Sequence, residues 1–120
     1  MRLVNLSKQA DKFLNTLPAK QYKQLARDIF RLAKQPQQQD TAKLKGHNHF
    51  FRKDSGEYRI IYRFDATILY VAIVNKRNDD KVYKTFLRKL ERVVTLLTES
   101  EKHGDLDQKG FNLRRMAYAI

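Results

Sequence analysis

Apolar residues recur at helical spacing in the first third of the chain. Ala10, Phe13, Leu14 and Leu17 follow Ser7, whose hydroxyl is placed to cap a helix. A second stripe of Tyr22, Leu25, Ala26, Ile29, Phe30 and Ala33 follows Pro18, a residue suited to the first helical position. This helix should stop near Gln35, because the residue before Pro36 is pushed out of the helical region. Joined at Asn15–Pro18, the two make a helical hairpin, and Arg2–Asn5 ahead of them reads as a short strand.

Past residue 48 the period changes to two. Phe50–Lys53 reads as a short strand and DSGE as a turn. Glu57–Phe64 then alternates, with Tyr58, Ile60, Tyr62 and Phe64 on one face and Arg59, Ile61 and Arg63 on the other. After a turn at Asp65-Ala66-Thr67, Ile68–Asn75 is apolar on both faces, as a central strand is. Asn78 or Asp79 caps a last helix, with Asp79 and Asp80 near its positive dipole end and Val82, Phe86, Leu90, Val93 and Leu97 as its stripe. The pattern predicts an α+β domain over residues 1–98, with an antiparallel sheet. Residues 99–120, interrupted by Gly104 and Gly110, read as an extension that is flexible or docks on a partner.

The hairpin register decides which cations meet. With Ser55-Gly56 as a two-residue loop, Arg52 pairs with Arg59 and Phe51 with Ile60. Facing like charges cost stability, so this register calls for a bound anion or for splayed, solvated arginines. A three-residue loop, Asp54-Ser55-Gly56, would instead turn Arg52 toward the core. With Asp65-Ala66 as the next loop, Arg59 lies opposite Ala72, whose small side chain leaves room for a ligand. Arg52, Arg59, Arg77 and Tyr83 then gather around one concave surface, rimmed by Lys43, Lys45, His47 and His49.

Charge narrows the function. Twenty-five Lys and Arg against thirteen Asp and Glu leave a net +12, which attracts polyanions such as RNA, DNA or an acidic protein. There is no cysteine and no signal-peptide pattern, which fits a cytoplasmic protein. The longest apolar run, TILYVAIV, is too short to span a membrane. His47-Asn48-His49 is a weak metal signal, and these histidines are either solvated or available for acid–base work.

KLKG at 43–46, FRKDSGEYRIIY at 51–62 and VNKRNDDKVY at 74–83, in that order, resemble the RelE/ParE superfamily of toxins from bacterial type II toxin–antitoxin systems. The resemblance implies a helical hairpin packed on a curved antiparallel β-sheet with a C-terminal helix. It implies one of two activities, cleavage of mRNA in the ribosomal A site or poisoning of DNA gyrase without RNase activity. A plain RNA-binding module is a third reading of the charge. The RelE branch is favoured here because a complete basic set accompanies Tyr83. Its roles carry onto Arg59, Arg77 and Tyr83, and less directly onto Arg52, with Lys43, Lys45, His47, His49, Lys53 and Lys76 contacting RNA. This chain departs from the family in Phe50, where some members are basic, and in Lys53, usually apolar. Periodicity alone leaves Tyr83 open, since it also falls within the apolar stripe of Phe86, Leu87 and Leu90.

The expected partners are mRNA and rRNA in the ribosomal A site and an acidic cognate antitoxin. The RNA supplies its own 2′-hydroxyl nucleophile, so no metal or cofactor is called for.

Overall fold

A computed structural model describes residues 1–44, 47–79, 81, 84–89 and 92. The order of elements is β1 (Leu3–Leu6), α1 (Lys8–Asn15), α2 (Ala19–Lys34), β2 (Thr41–Leu44), β3 (His47–Ser55), β4 (Tyr58–Phe64) and β5 (Ile68–Lys76). They form one five-stranded sheet in the order β1-β5-β4-β3-β2. All neighbours are antiparallel except β1, which runs parallel to β5. The helical hairpin covers one face of this sheet. The fold is the α+β architecture that the hydrophobic pattern predicts.

Ser7 caps α1, its Oγ accepting from the Ala10 N–H at 3.0 Å. Pro18 stands one place earlier than expected, at the N-cap of α2, where its fixed φ of −59° is tolerated and its carbonyl accepts from Tyr22 N at 3.0 Å. α2 ends at Lys34 with Gln35 in extended conformation before Pro36. Its buried face differs from the predicted stripe. Leu25, Ile29, Leu32 and Ala33 are buried, while Tyr22 and Phe30 are exposed. A stripe drawn broadly enough to include Tyr22 and Phe30 overreaches the sector that the sheet covers.

The sheet separates two clusters. On the helical side Ala10, Leu14, Leu25, Ile29 and Leu32 pack against Phe51, Tyr58, Ile60, Tyr62, Leu69, Val71 and Val74. On the other side Leu44, Phe50, Ile61, Ala72, Ile73 and Phe86 pack together, with Phe50 and Phe86 edge to face at 5.4 Å between ring centroids. Residues 84–89 are helical and bring Phe86 onto this second face. Asp79 starts the helical segment, its Oδ1 accepting from Lys81 N at 3.2 Å. Of the predicted stripe, Val82, Leu90, Val93 and Leu97 lie outside the described residues, as do Asp80 and the extension at 99–120.

β1 covers β5 only from Ile68 to Val71. Beyond that point α1 takes over the margin with its own groups. Ser7 N donates to Val71 O at 2.9 Å, and Ser7 Oγ to Ala72 O at 2.6 Å. The Gln9 amide engages both backbone groups of Val74, donating to its carbonyl at 2.8 Å and accepting from its N–H at 3.0 Å. A short strand and two side chains thus satisfy an edge that would otherwise be open.

Both hairpin registers differ from expectation. The first loop is Gly56-Glu57, so Asp54 pairs with Arg59, Arg52 with Ile61, and Phe51 with Tyr62. Gly56 has φ +58°, the left-handed conformation that a tight hairpin turn needs at its first position. A Cβ there would also come within 2.5 Å of Gln24 Nε2. The neighbouring Ser55 hydroxyl is clasped by Asp28 and Gln24 of α2, which fixes the turn from outside the hairpin. In the second hairpin a bulge inserts Ala72 between the Tyr62–Val71 and Ile61–Ile73 pairs. Arg59 therefore lies opposite Asn75, not Ala72.

Candidate functional site

The slip of the first hairpin is by two residues along the partner strand, so every side chain keeps its face. Arg52 and Arg59 do share a face, but diagonally. The residue directly opposite Arg59 is Asp54, and the repulsion expected between two arginines is replaced by an ion pair. Arg59 Nε donates to Asp54 Oδ1 at 2.9 Å. At the end of β5 the Arg77 backbone N–H is fixed to Glu57 O at 2.8 Å, and its guanidinium stands 3.8 Å from the other Asp54 oxygen. One carboxylate is thus bracketed by two guanidinium groups.

Beside this triad is a shallow concavity lined by Arg59, Ile61, Ile73, Asn75, Lys76, Arg77 and Asp79. Its floor is the second apolar cluster, and its rim carries three cations, Arg59, Lys76 and Arg77, and one carboxylate, Asp79. Lys76 is exposed at the strand end. Asn75 carries no signal of its own in the sequence, and it reaches the site through the bulge at Ala72, which shifts the register of β5.

The structure sorts the other predicted residues by strand alternation. Arg52 is exposed on β3, opposite Ile61 and Ala42, on the same face as Arg59. Lys53 is not on that face. It lies opposite Ile60 on the helical side, is 6% exposed, and forms an ion pair with Asp40. Lys53 replaces an apolar core position with an amphipathic one whose ammonium has found a carboxylate. Its ammonium in turn holds the Asp40 carboxyl below the usual carboxylate range, chiefly through that hydrogen bond. Lys43 is exposed on β2 but pairs with Phe51, so alternation directs it to the helical side as well. His49 is exposed on β3. Lys45, Tyr83 and the side chain of His47 lie outside the described residues.

A second groove, of about 420 Å³, continues from Ile73 and is lined by Gln9, Phe86 and the cations Lys81, Lys84, Arg88 and Lys89. These four recur at helical spacing in KVYKTFLRK, a signal distinct from the strand cations. The two depressions share Ile73 and together make a cationic tract beside the second apolar cluster, reaching the first turn of α1 at Gln9. Among the described residues no group of three or more His, Asp or Glu is placed to hold a metal ion, and no helix is long and apolar enough to cross a membrane.

Comparison with known proteins fits this architecture. No curated protein matches the chain significantly. The chain is similar to RelE in the archaeal RelE–RelB complex of Pyrococcus horikoshii OT3, with 25% identity, a TM-score of 0.56, and 65% of this chain and 97% of that one covered. It is similar in fold to the RelBE2 toxin–antitoxin complex of Mycobacterium tuberculosis, with 24% identity and a TM-score of 0.55, over 63% of this chain and 98% of that one. The isolated E. coli RelE toxin gives 20% identity and a TM-score of 0.57, over 75% of this chain and 99% of that one. A model of the ParE toxin of the type II toxin–antitoxin system parDE matches residues 4–81. With most of its length spanned by that model, the chain belongs to the RelE/ParE superfamily and is a toxin of a type II toxin–antitoxin system.

Proposed function

We propose that this toxin is a ribosome-dependent mRNA endoribonuclease. The observation that carries the reading is the pair of guanidinium groups, Arg59 and Arg77, closed around a single carboxylate at 2.9 and 3.8 Å. A pair spaced to hold one oxyanion of the protein is spaced to hold a phosphodiester, for which the guanidinium fork is suited.

RNA brings its own nucleophile. The 2′-oxygen attacks the adjacent phosphorus, the bond from phosphorus to the 5′-oxygen breaks, and a proton passes to the leaving oxygen. The products are a 2′,3′-cyclic phosphate and a 5′-hydroxyl. Arg59 and Arg77 hold the non-bridging oxygens and stabilise the charge that builds on them. Arg52, exposed on the same face, steers the backbone into register. Tyr83, by its place after the turn, stacks on a splayed base or takes part in proton transfer. An acidic antitoxin would silence the toxin by covering the cationic tract.

The match to a ParE toxin model favours a second reading, inhibition of DNA gyrase without RNase activity. One experiment separates the two. The purified toxin is mixed with ribosomes stalled on a defined mRNA, and the RNA ends are mapped. Cuts in the A-site codon with cyclic phosphate ends are expected. Intact mRNA together with gyrase-linked DNA breaks would transfer the case to the second reading.

A further inference from the structure

Asn75 is a residue of the concavity that the mechanism above leaves unused. It is the register partner of Arg59 and is 9% exposed. It lines the depression together with Arg59 and Arg77. Its amide Nδ2 is buried and has no hydrogen-bond partner among the described residues. Folding strips that donor of water and the described residues return no acceptor, which native structures tolerate when a ligand supplies one.

The neighbours say what kind of acceptor fits. Two guanidinium groups stand beside Asn75, and among the described residues the carboxylate paired with both is Asp54. The site already has the form of a bound oxyanion, filled from within by the protein's own carboxylate. Nδ2 is shielded from solvent, so an incoming oxygen meets it only when a rim side chain moves. The long side chains of that rim include the two arginines that Asp54 tethers.

We propose that Asn75 contacts the substrate. Its Nδ2–H donates to a non-bridging oxygen of an RNA phosphodiester that takes the place of Asp54 between Arg59 and Arg77. This rests on the RNA-phosphate reading of the site given above. Asp54 holds the free site closed, and exchange of carboxylate for phosphate swings the arginines and uncovers the amide.

The test uses the full chain labelled with ¹⁵N and a uridylyl-uridine dinucleotide lacking the attacking 2′-hydroxyl. The Asn75 side-chain amide signals should shift during titration, in step with Arg59 Nε–H. Asn75→Ala should weaken dinucleotide binding about tenfold, the loss of one hydrogen bond to a charged acceptor. Asp54→Asn should tighten it severalfold by removing the competing charge. If Arg59 responds and the Asn75 amide does not, or if Asn75→Ala binds as the unsubstituted protein does, the inference is overturned. A response from neither residue overturns it too. The ribosome assay fails separately: intact mRNA alongside a responding Asn75 would sink the nuclease reading and leave this contact standing.

Discussion

Replacing Ser7 with alanine removes one oxygen and undoes two hydrogen bonds on which the sheet margin depends. Ser7 is 1% exposed. Its Oγ accepts from Ala10 N at 3.0 Å and donates to Ala72 O at 2.6 Å. Loss of the helix cap costs about 1 kcal/mol, within a range of roughly 0.5–2. The carbonyl of the bulged Ala72, itself 1% exposed, loses the hydroxyl that donates to it, which adds roughly 1–3 kcal/mol. The two together come to about 2–4 kcal/mol, a large share of the ~5–15 kcal/mol that holds a domain folded. With a urea dependence of about 2 kcal/mol/M, the unfolding midpoint should fall by roughly 1–2 M, read by far-ultraviolet circular dichroism. Ser7→Gly divides the effect, because glycine is a serviceable cap yet cannot reach Ala72. It should fall between the other two proteins. A Ser7→Ala midpoint within about 0.3 M of the unsubstituted protein would refute the account of the bulge.

Arg59→Ala and Arg77→Ala should each lower A-site cleavage by about 10²-fold, as loss of a transition-state charge partner does, with the folded state retained by circular dichroism. Asp40→Ala leaves the nearly buried Lys53 ammonium without its carboxylate and should destabilise by about 1–3 kcal/mol, less than a fully buried pair because Asp40 is largely exposed. Lys53→Met should be neutral or stabilising in the same denaturation assay. Burial pushes the Tyr62 hydroxyl up to about 12, above its ordinary value of 10.0. The folded state therefore keeps its proton more tightly, so the associated stability is whole below pH ~10 and is lost as pH climbs toward ~12, by up to about 2–3 kcal/mol. Tyr62→Phe should remove that alkaline loss while costing about 1 kcal/mol at neutral pH, where the bond to the Pro36 carbonyl is gone.

The helical hairpin, strands β1 and β3–β5 and the sharing of a face by Arg52, Arg59 and Ile61 are legible because each rests on local periodicity. β2 was not. TAKL is four residues with no clean alternation, and it becomes a strand by pairing with β3. β3 also runs beyond the predicted Phe50–Lys53 on both sides, into polar residues that have no strand signal of their own. The hairpin turn slipped to Gly56-Glu57 because Ser55 is held by Asp28 and Gln24, residues far away in sequence. Nothing local marks the bulge at Ala72 either. It is stabilised by Ser7, 65 positions away. Hence the closeness of Arg59 and Arg77 could be read from the chain, while their neighbours, Asp54 and Asn75, needed the registers that long-range contacts set. Lys53 departs from its surface reading for a simpler reason: a lysine in a basic stretch suggests a surface, but alternation along β3 sends it into the core beside Ile60.

The Gln9 amide has a consequence for motion. The Val74 N–H is closed off by a rotatable side chain, whereas the neighbouring amides of the β4–β5 ladder are held by backbone. Its hydrogen exchange is therefore governed by undocking of the first turn of α1, a local opening, and not by separation of the strands. Arg77 follows three residues later. The end of β5 that carries it is anchored to β4 on one side and to the first turn of α1 on the other. Undocking of that turn would free one side of the strand end that carries Arg77, an event on the timescale of local unfolding rather than of side-chain rotation.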